Sequence, residues 1–125
     1  MPIFKHPTGL TLVAHFSVQG VQTWASRNDA IYKQKVHESA GVNAAMRDRY
    51  TWFVFCIRCI VGQSRARYQN QIPDVENIPK LIVDAFTGIL YPDDNLNYVR
   101  GVQVEAEWGA DSAEHAEVWI LGQPK

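Results

Sequence analysis

The chain of 125 residues has the length of one domain, and its 46% hydrophobic and 11% aromatic content is sufficient for an ordinary globular core. No apolar stretch reaches the roughly 18 uncharged residues of a membrane helix. The first residues also lack the basic start, apolar run and small-residue cleavage site of a signal peptide. We therefore expect a single cytoplasmic domain over residues 1–125, with no membrane segment.

The formal net charge of −1 hides an asymmetry between the two parts of the chain. Residues 1–70 contain nine Lys and Arg against three Asp and Glu, whereas residues 71–125 contain three against ten. Such an asymmetry indicates a face that binds a polyanion, here beside an acidic site.

The first third of the chain predicts a strand followed by a helix. Residues 10–18 alternate apolar and polar side chains, which is typical of a half-buried strand. A loop over residues 19–26 leads to a helix from Asn28, whose apolar positions are Ile31, Tyr32, Val36 and Ala40. Gly41 either ends this helix or interrupts it, in which case residues 42–49 continue it.

Residues 51–61 predict a strand in the interior of a sheet. They are apolar on both faces apart from Arg58, and they are rich in β-branched and aromatic residues. Cys56 and Cys59 lie three apart, so on a strand they point to opposite faces. No second cysteine pair exists to complete a zinc site. We therefore predict buried free thiols rather than a redox pair or metal ligands.

A polar loop over residues 62–73 precedes the most regular helical pattern of the chain. Its apolar stripe consists of Ile78, Leu81, Ile82, Ala85 and Phe86. Asn77 is predicted to cap the helix at its start, and Gly88 is predicted to stop it. Lys80, Asp84 and Thr87 then share the more polar side.

Two further strands follow a turn at residues 92–95. Residues 99–108 alternate, and the side chains predicted to face inward are Val102, Val104, Ala106 and Trp108. Residues 116–121 complete the sheet. The order β-α-β-α-β-β predicts an α+β (α/β) fold, a single small domain with a mixed sheet packed on two helices.

The segment around the second helix is the most acidic part of the chain. Asp74 and Glu76 lie just ahead of the helix, and residues two apart in an extended segment point the same way. Their mutual repulsion favours Mg²⁺ or Mn²⁺, which prefer hard oxygen ligands. Asp93 and Asp94 could fold back to supply a third ligand, and Lys80 lies one turn into the helix. This arrangement predicts phosphodiester hydrolysis.

A second interpretation of the same residues is purely structural. Asp and Asn are common in turns and at helix starts, because their side chains bond locally to the backbone. Spacing alone leaves both interpretations open.

The run Asp74-x-Glu76-Asn77-x-x-Lys80, followed by Asp84-Ala85-Phe86 and then Gly88 and Asp93-Asp94, resembles the signature of the RusA-type Holliday junction resolvases. The specific similarity covers about residues 73–105. The resemblance implies a small Mg²⁺-dependent endonuclease (Mn²⁺ being the alternative metal) that acts as a homodimer on four-way DNA junctions in recombination and repair, with no small-molecule cofactor.

Carried over residue by residue, the resemblance assigns the metal-binding carboxylates to Asp74, Glu76 and Asp94, with Asp93 as a neighbouring candidate. It assigns the essential lysine to Lys80. Asp74, Glu76, Lys80 and Asp94 are therefore the expected catalytic set, and Asp84 is expected to be structural or to support the ligands.

The chain departs from the family pattern in two places. Glu76 stands where the family usually has a second aspartate, and residues 69–73 are uncharged where the family often has basic residues. These departures leave two alternatives: a non-catalytic junction-binding or protein-binding module that kept the fold, and a metal nuclease that acts on RNA.

Contacts to the DNA backbone would come from the basic residues of the N-terminal part. The candidates are Arg27, Lys33, Lys35, Arg65 and Arg67, together with Arg47 and Arg49. Trp24 or Tyr68 could stack on an exposed base. Each of these residues also has an ordinary interpretation, as a solvated cation or a core aromatic.

Overall fold

The computed structural model describes residues 9–22 and 29–125. Four strands and two α-helices make up these parts, with short 3-10 turns between them. The elements are β1 (Thr11–Gln19), α1 (Asp29–Ala40), β2 (Tyr50–Gly62), α2 (Ile78–Asp84), β3 (Val99–Gly109) and β4 (His115–Pro124). The predicted order β-α-β-α-β-β and the α+β class are confirmed.

The four strands form one mixed sheet in the order β1-β4-β2-β3. β4 runs antiparallel to both of its neighbours, whereas β2 and β3 are parallel. Parallel neighbours cannot be joined by a tight turn and need a crossover connection. Residues 63–98, which include α2 and all the acidic residues of the predicted metal site, form that connection.

Both helices pack on the same face of the sheet. Tyr32 and Val36 of α1 join Leu81 and Ile82 of α2 in one buried cluster with the sheet residues of that face. β2 supplies Phe53, Phe55, Ile57, Cys59 and Val61 to this cluster. The aromatic rings of Phe16 and Phe55 both lie against Phe86, at centroid distances of 6.2 and 5.9 Å.

The opposite face of the sheet is also apolar at its centre. Val54 and Cys56 of β2 pack there with Trp119 and Leu121 of β4, and all four are 5% exposed or less. β2 is therefore buried on both sides, as its sequence predicted. Among the described residues, no helix has the length and apolar character needed to cross a membrane.

Helix α1 ends at Ala40, and the continuation through residues 42–49 is not α-helical. Gly41 has a φ of +66°, a conformation that glycine adopts without strain. The Asn43 side chain then accepts a hydrogen bond from the Ala45 amide at 3.0 Å and starts a separate 3-10 turn, Ala44–Arg49.

The burial of the predicted stripe is confirmed, because Ile78, Leu81, Ile82, Ala85 and Phe86 are all buried, but α2 ends at Asp84, before the predicted stop at Gly88. Asn77 occupies the predicted position at the start of the helix but does not cap it with its side chain. Its backbone is already helical, with φ −91° and ψ −15°, and its side chain makes no cap bond. A 3-10 turn, Val75–Asn77, precedes the helix and moves the start of helical backbone upstream.

The predicted burial of β3 was wrong for three of its four inward positions. In the register of β3 with β2, the four positions lie on the helix-bearing face of the sheet, as expected. The pairs are Val102 with Phe55, Val104 with Ile57, Ala106 with Cys59 and Trp108 with Val61. However, Val102 is 41% and Trp108 44% exposed, Ala106 is exposed, and only Val104 packs against the core. β3 is the last strand of the sheet, and α1 packs on β1 at the opposite edge.

The two cysteines are free and buried, in agreement with the sequence interpretation. Cys59 belongs to the helix-side cluster and Cys56 to the cluster on the opposite face. Burial raises the pKa of Cys59 to about 12, with a further contribution from the Glu114 charge, and burial also raises the pKa of Cys56. Neither thiol is therefore ionised at neutral pH.

We expect both thiols to resist iodoacetamide in the native protein at pH 7.5, because the reagent needs an accessible thiolate. In denaturant both should be modified within minutes. Intact-mass measurement of the alkylated protein checks this, and alkylation of the native protein as fast as that of the unfolded chain would contradict the buried geometry.

Replacing Phe86 by alanine should lower the free energy of unfolding by about 3–5 kcal/mol, because it leaves a cavity between Phe16 and Phe55. Urea denaturation followed by circular dichroism measures the change. Leu12→Ala is the matched control, since Leu12 is 52% exposed on β1 and its truncation should cost less than about 1 kcal/mol.

Candidate metal and DNA site

Asp74 and Glu76 lie together beside α2. With Val75 and Val104 of β3 they line an open cleft of about 500 Å³. The backbone carbonyl of Asp74 accepts a hydrogen bond from the Asn77 amide at 3.0 Å, which folds residues 74–77 into a tight turn. Both carboxylates are exposed, so the turn presents two hard oxygen donors to solvent.

Lys80 lies on the first turn of α2, next to this acidic turn. Its neighbours Pro79 and Leu81 are buried in the core, whereas the lysine side chain is exposed. Among the described residues it has no hydrogen bond or ion pair. Its ammonium group is thus free to contact an anion that approaches the cleft.

Asp93 and Asp94 lie at the other end of α2. The Asp93 side chain accepts bonds from the Asp94 amide at 2.8 Å and from the Asn95 amide group at 3.4 Å, so it stabilises its own turn. Partial burial, a hydrogen bond with Asp93 and the charges of Asp93 and Asp84 raise the pKa of Asp94. Asp94 therefore belongs to a local group with Asp93 and Asp84.

Asp84 is held by two side chains rather than left free. Its Oδ2 accepts a hydrogen bond from Nζ of Lys33 on α1 at 2.7 Å, and its Oδ1 accepts one from Oγ1 of Thr87 at 3.4 Å. The ion pair links the two helices. This geometry agrees with a structural role for Asp84.

Helix α2 lies between the two acidic groups in the sequence, since Asp74 and Glu76 precede its seven residues and Asp93 and Asp94 follow them. In the parts of the chain that the structure describes, no three Asp, Glu, His or Cys side chains are grouped so as to hold a metal ion. The convergence of Asp74, Glu76 and Asp94 on one ion therefore stays a prediction.

Two of the basic residues predicted to contact DNA are engaged within the fold. Lys33 forms the ion pair with Asp84, and Arg65 forms one with Glu114 at 3.2 Å. Arg65 also donates to the carbonyl of Val21 at 2.8 Å. These contacts give both residues a structural function.

Other basic candidates remain available at the surface. Lys35 is exposed on α1, and Arg67 is exposed in the 3-10 turn after β2. Tyr68, one of the aromatic side chains predicted to stack on a base, is 56% exposed. Arg47 is half-buried and Arg49 exposed in the turn before β2. The predictions for Arg27 and Trp24 lie outside the described residues.

Glu114 is an organising residue that sequence reasoning did not single out. Besides the ion pair with Arg65, its carboxylate accepts hydrogen bonds from the amides of Gly62 at 3.0 Å and Val21 at 3.3 Å. It thereby joins the ends of β1 and β2 to the start of β4. Its partners are far away in sequence, so no local signal indicated this role.

Trp108 is a residue whose exposure sequence reasoning did not predict. It was assigned to the core by its alternation with Glu105 and Glu107, yet it lines an open apolar groove beside the acidic turn. The alternation of apolar and polar residues cannot show that β3 is the edge strand of the sheet, and this is why the exposure of Trp108 was not predicted.

A small mixed sheet with helices on one face, and an acidic turn leading into the crossover helix, defines a compact α+β domain of the kind that the signature implied. The family model for Endodeoxyribonuclease RusA matches residues 6–120. The chain therefore belongs to the RusA family, whose members are endodeoxyribonucleases that act on branched DNA junctions. The comparison with curated proteins found no match.

The Glu114 network should contribute measurably to stability. We expect Glu114→Gln to lower the free energy of unfolding by about 1–3 kcal/mol, because the partly buried Arg65 and two amides lose a charged acceptor. Glu105→Gln is the control, since the Arg58–Glu105 pair is more exposed and should contribute less than about 1 kcal/mol. Equal losses in the two variants, measured by urea denaturation, would contradict the structural role of Glu114.

Proposed function

We propose that this RusA-family protein is a metal-dependent endonuclease that resolves four-way DNA junctions in recombination and repair, with Mg²⁺ or Mn²⁺ as its metal. The observation that carries the proposal is the open cleft that Asp74 and Glu76 both line, with the exposed Lys80 on the adjoining helical turn. Membership of the family supplies the substrate class.

The donor set suits a hard divalent cation. Asp74 and Glu76 offer oxygen ligands only, and Mg²⁺ in nuclease-type sites is commonly held by one or two carboxylates together with water and substrate phosphate. We assign the metal to these two residues, with Asp94 as the third carboxylate and Asp93 as its neighbour. A cation bound there would supply the positive charge that phosphodiester hydrolysis requires.

The protein's own residues would position the phosphate. Lys80 is placed to donate a hydrogen bond to a phosphate oxygen and to balance the charge that develops in the transition state. Lys35 and Arg67, both exposed, would hold the DNA backbone further from the cleft. Lys33 and Arg65 would contribute indirectly, by fixing α1 against α2 and β1 against β2.

A homodimer is part of the proposal, because resolving a four-way junction requires two symmetric nicks and a two-fold dimer provides two clefts. We further propose that the protein acts in the cytoplasm, where such DNA is present. Light scattering at micromolar protein should report a dimer, and a strict monomer would weigh against paired cleavage.

The cleavage reaction can be tested directly on a synthetic four-way junction with Mg²⁺ or Mn²⁺. We expect paired nicks, and we expect Asp74→Asn and Lys80→Ala each to lower the single-turnover rate by about 100-fold or more. Leu12→Ala, an exposed change on β1 at the opposite edge of the sheet, is the control. Absence of cleavage on junction, flap and fork substrates would contradict the proposal, and faster cleavage of matched RNA would indicate a different nuclease.

Metal binding can be tested without cleavage by calorimetric titration with Mn²⁺. Asp74→Asn and Glu76→Gln should each weaken saturable binding by about tenfold or more, because each removes a charged ligand. Asp94→Asn tests the third ligand separately. Saturable binding that none of the three changes affects would place the metal elsewhere. Absence of saturable binding would favour the alternative, a junction-binding module that has lost catalysis, for which Glu76 in place of the family's usual aspartate is the supporting observation.

A further inference from the structure

An apolar groove adjoins the acidic turn on the helix-bearing side of β3. It has a volume of about 240 Å³ and is lined by the apolar residues Val61, Pro73, Val75, Ile78, Ala106 and Trp108, together with Glu107. The indole of Trp108 is 44% exposed and Val75 is 46% exposed. A large aromatic ring left partly open to solvent in this way forgoes part of the stabilisation that its burial would give, and its apolar surface is available to a ligand.

The groove and the acidic cleft are continuous. Val75 lines both, and it lies between the two carboxylate residues Asp74 and Glu76. On β3, Val104 borders the cleft and Trp108 borders the groove, on the same face of the strand. Four residues of strand correspond to about 13 Å, which is roughly four base-pair steps of a DNA strand. A nucleic acid with its phosphate at the cleft would therefore reach Trp108 within a few nucleotides.

A cationic side chain lies at the same end of the sheet. Gly62 and Gly109 are paired at the ends of β2 and β3, and the turn after Gly62 carries Arg67. Arg67 lines a separate polar cleft with Ser64 and Asp111. Arg67 and Trp108 are both exposed. An exposed guanidinium and an exposed indole at the same end of the sheet suit a ligand with a charged backbone that also presents flat apolar rings.

We infer that the groove at Trp108 takes one unstacked base of the branched DNA, next to the strand whose phosphate lies at Asp74 and Glu76. Bases at a branch point are more easily released from the stack than bases within a duplex, and an aromatic side chain gains about 1–3 kcal/mol by stacking on one. Trp108 thereby selects branched over unbranched DNA without reading sequence. The inference rests on the proposed function, since it takes branched DNA as the substrate.

The dimensions of the groove favour a base over a larger occupant. A volume of about 240 Å³ lies below the range of about 300–1,000 Å³ that is usual for pockets holding drug-sized ligands. It matches a single flat ring system inserted beside an indole. The groove is open to solvent and shares Val75 with the acidic cleft, so a base could enter while its own backbone stays outside.

The test measures binding in EDTA, where metal-dependent cleavage does not proceed. A four-way junction carries the fluorescent base 2-aminopurine at the branch point, and an unbranched duplex of the same sequence serves for comparison. We expect Trp108→Ala to weaken junction affinity about 5- to 150-fold, with duplex affinity changed less than about twofold. Trp108→Phe, which keeps a smaller ring, should lose less. Wild-type protein should quench 2-aminopurine, and Trp108→Ala should not.

Leu12→Ala is the matched control, because it truncates another exposed apolar side chain on the opposite edge of the sheet and should leave junction binding unchanged. Unchanged junction affinity in Trp108→Ala, with the wild type still binding, would overturn the base pocket alone. Wild-type protein that binds no branched DNA would overturn the proposed function and the base pocket together. A shift of oligomeric state in Trp108→Ala, seen by light scattering, would instead make the groove a contact between two copies of the chain and overturn the inference.

Discussion

The parallel pairing of β2 with β3 is the constraint on which the rest of the structure depends. Two parallel neighbours must be joined by a chain that crosses a face of the sheet, and in this protein the crossing chain is residues 63–98. Its helix α2 is fixed to the sheet by a buried stripe, so the polar residues at its two ends are fixed as well. The acidic turn is thereby placed against β3, at the open side of the domain, where a large polyanion can approach.

Two ion pairs tie the remaining elements to this crossover. Lys33 and Asp84 connect the two helices, and Arg65 and Glu114 connect the turn after β2 to the start of β4. Both pairs are partly shielded from solvent and are supported by further hydrogen bonds, which makes them stronger than ordinary surface pairs. The basic residues of the N-terminal part thus have two roles, since some of them stabilise the fold and others remain free to bind an anion.

Local patterns were sufficient to predict every regular element of the described chain. The apolar run of β2 and the stripe of α2 each indicated burial correctly, because burial within an element follows its periodicity. The position of an element within the sheet is a long-range property, and this is why the exposure of Trp108 was missed. Likewise, the capping role given to Asn77 failed because the chain becomes helical earlier, at the 3-10 turn of residues 75–77.

For the candidate site, the signature identified the acidic turn and Lys80 together, and in the structure Lys80 is exposed on the first turn of the helix that follows the acidic turn. Spacing could not tell whether Asp94 joins them, because the separation of residues along the chain does not show on which side of α2 the following turn lies. Lys33 and Arg65 show the same difficulty for charges. The sequence does not show which Lys or Arg side chains form ion pairs in the folded protein, as Lys33 does with Asp84 and Arg65 does with Glu114.

The edge formed by β3 has a consequence for the solubility of the protein. Among the described residues β3 pairs only with β2, so its other side offers unpaired backbone groups to any strand that approaches. Edge strands of this kind are templates for aggregation unless charge protects them. Glu105 is paired with Arg58 at 2.6 Å, but Glu107, beside Trp108 in the lining of the groove, is exposed, and its negative charge would repel a second β3 aligned with the first. The charge of Glu107 can therefore be understood as protection against unwanted sheet growth at an edge that also carries an apolar groove.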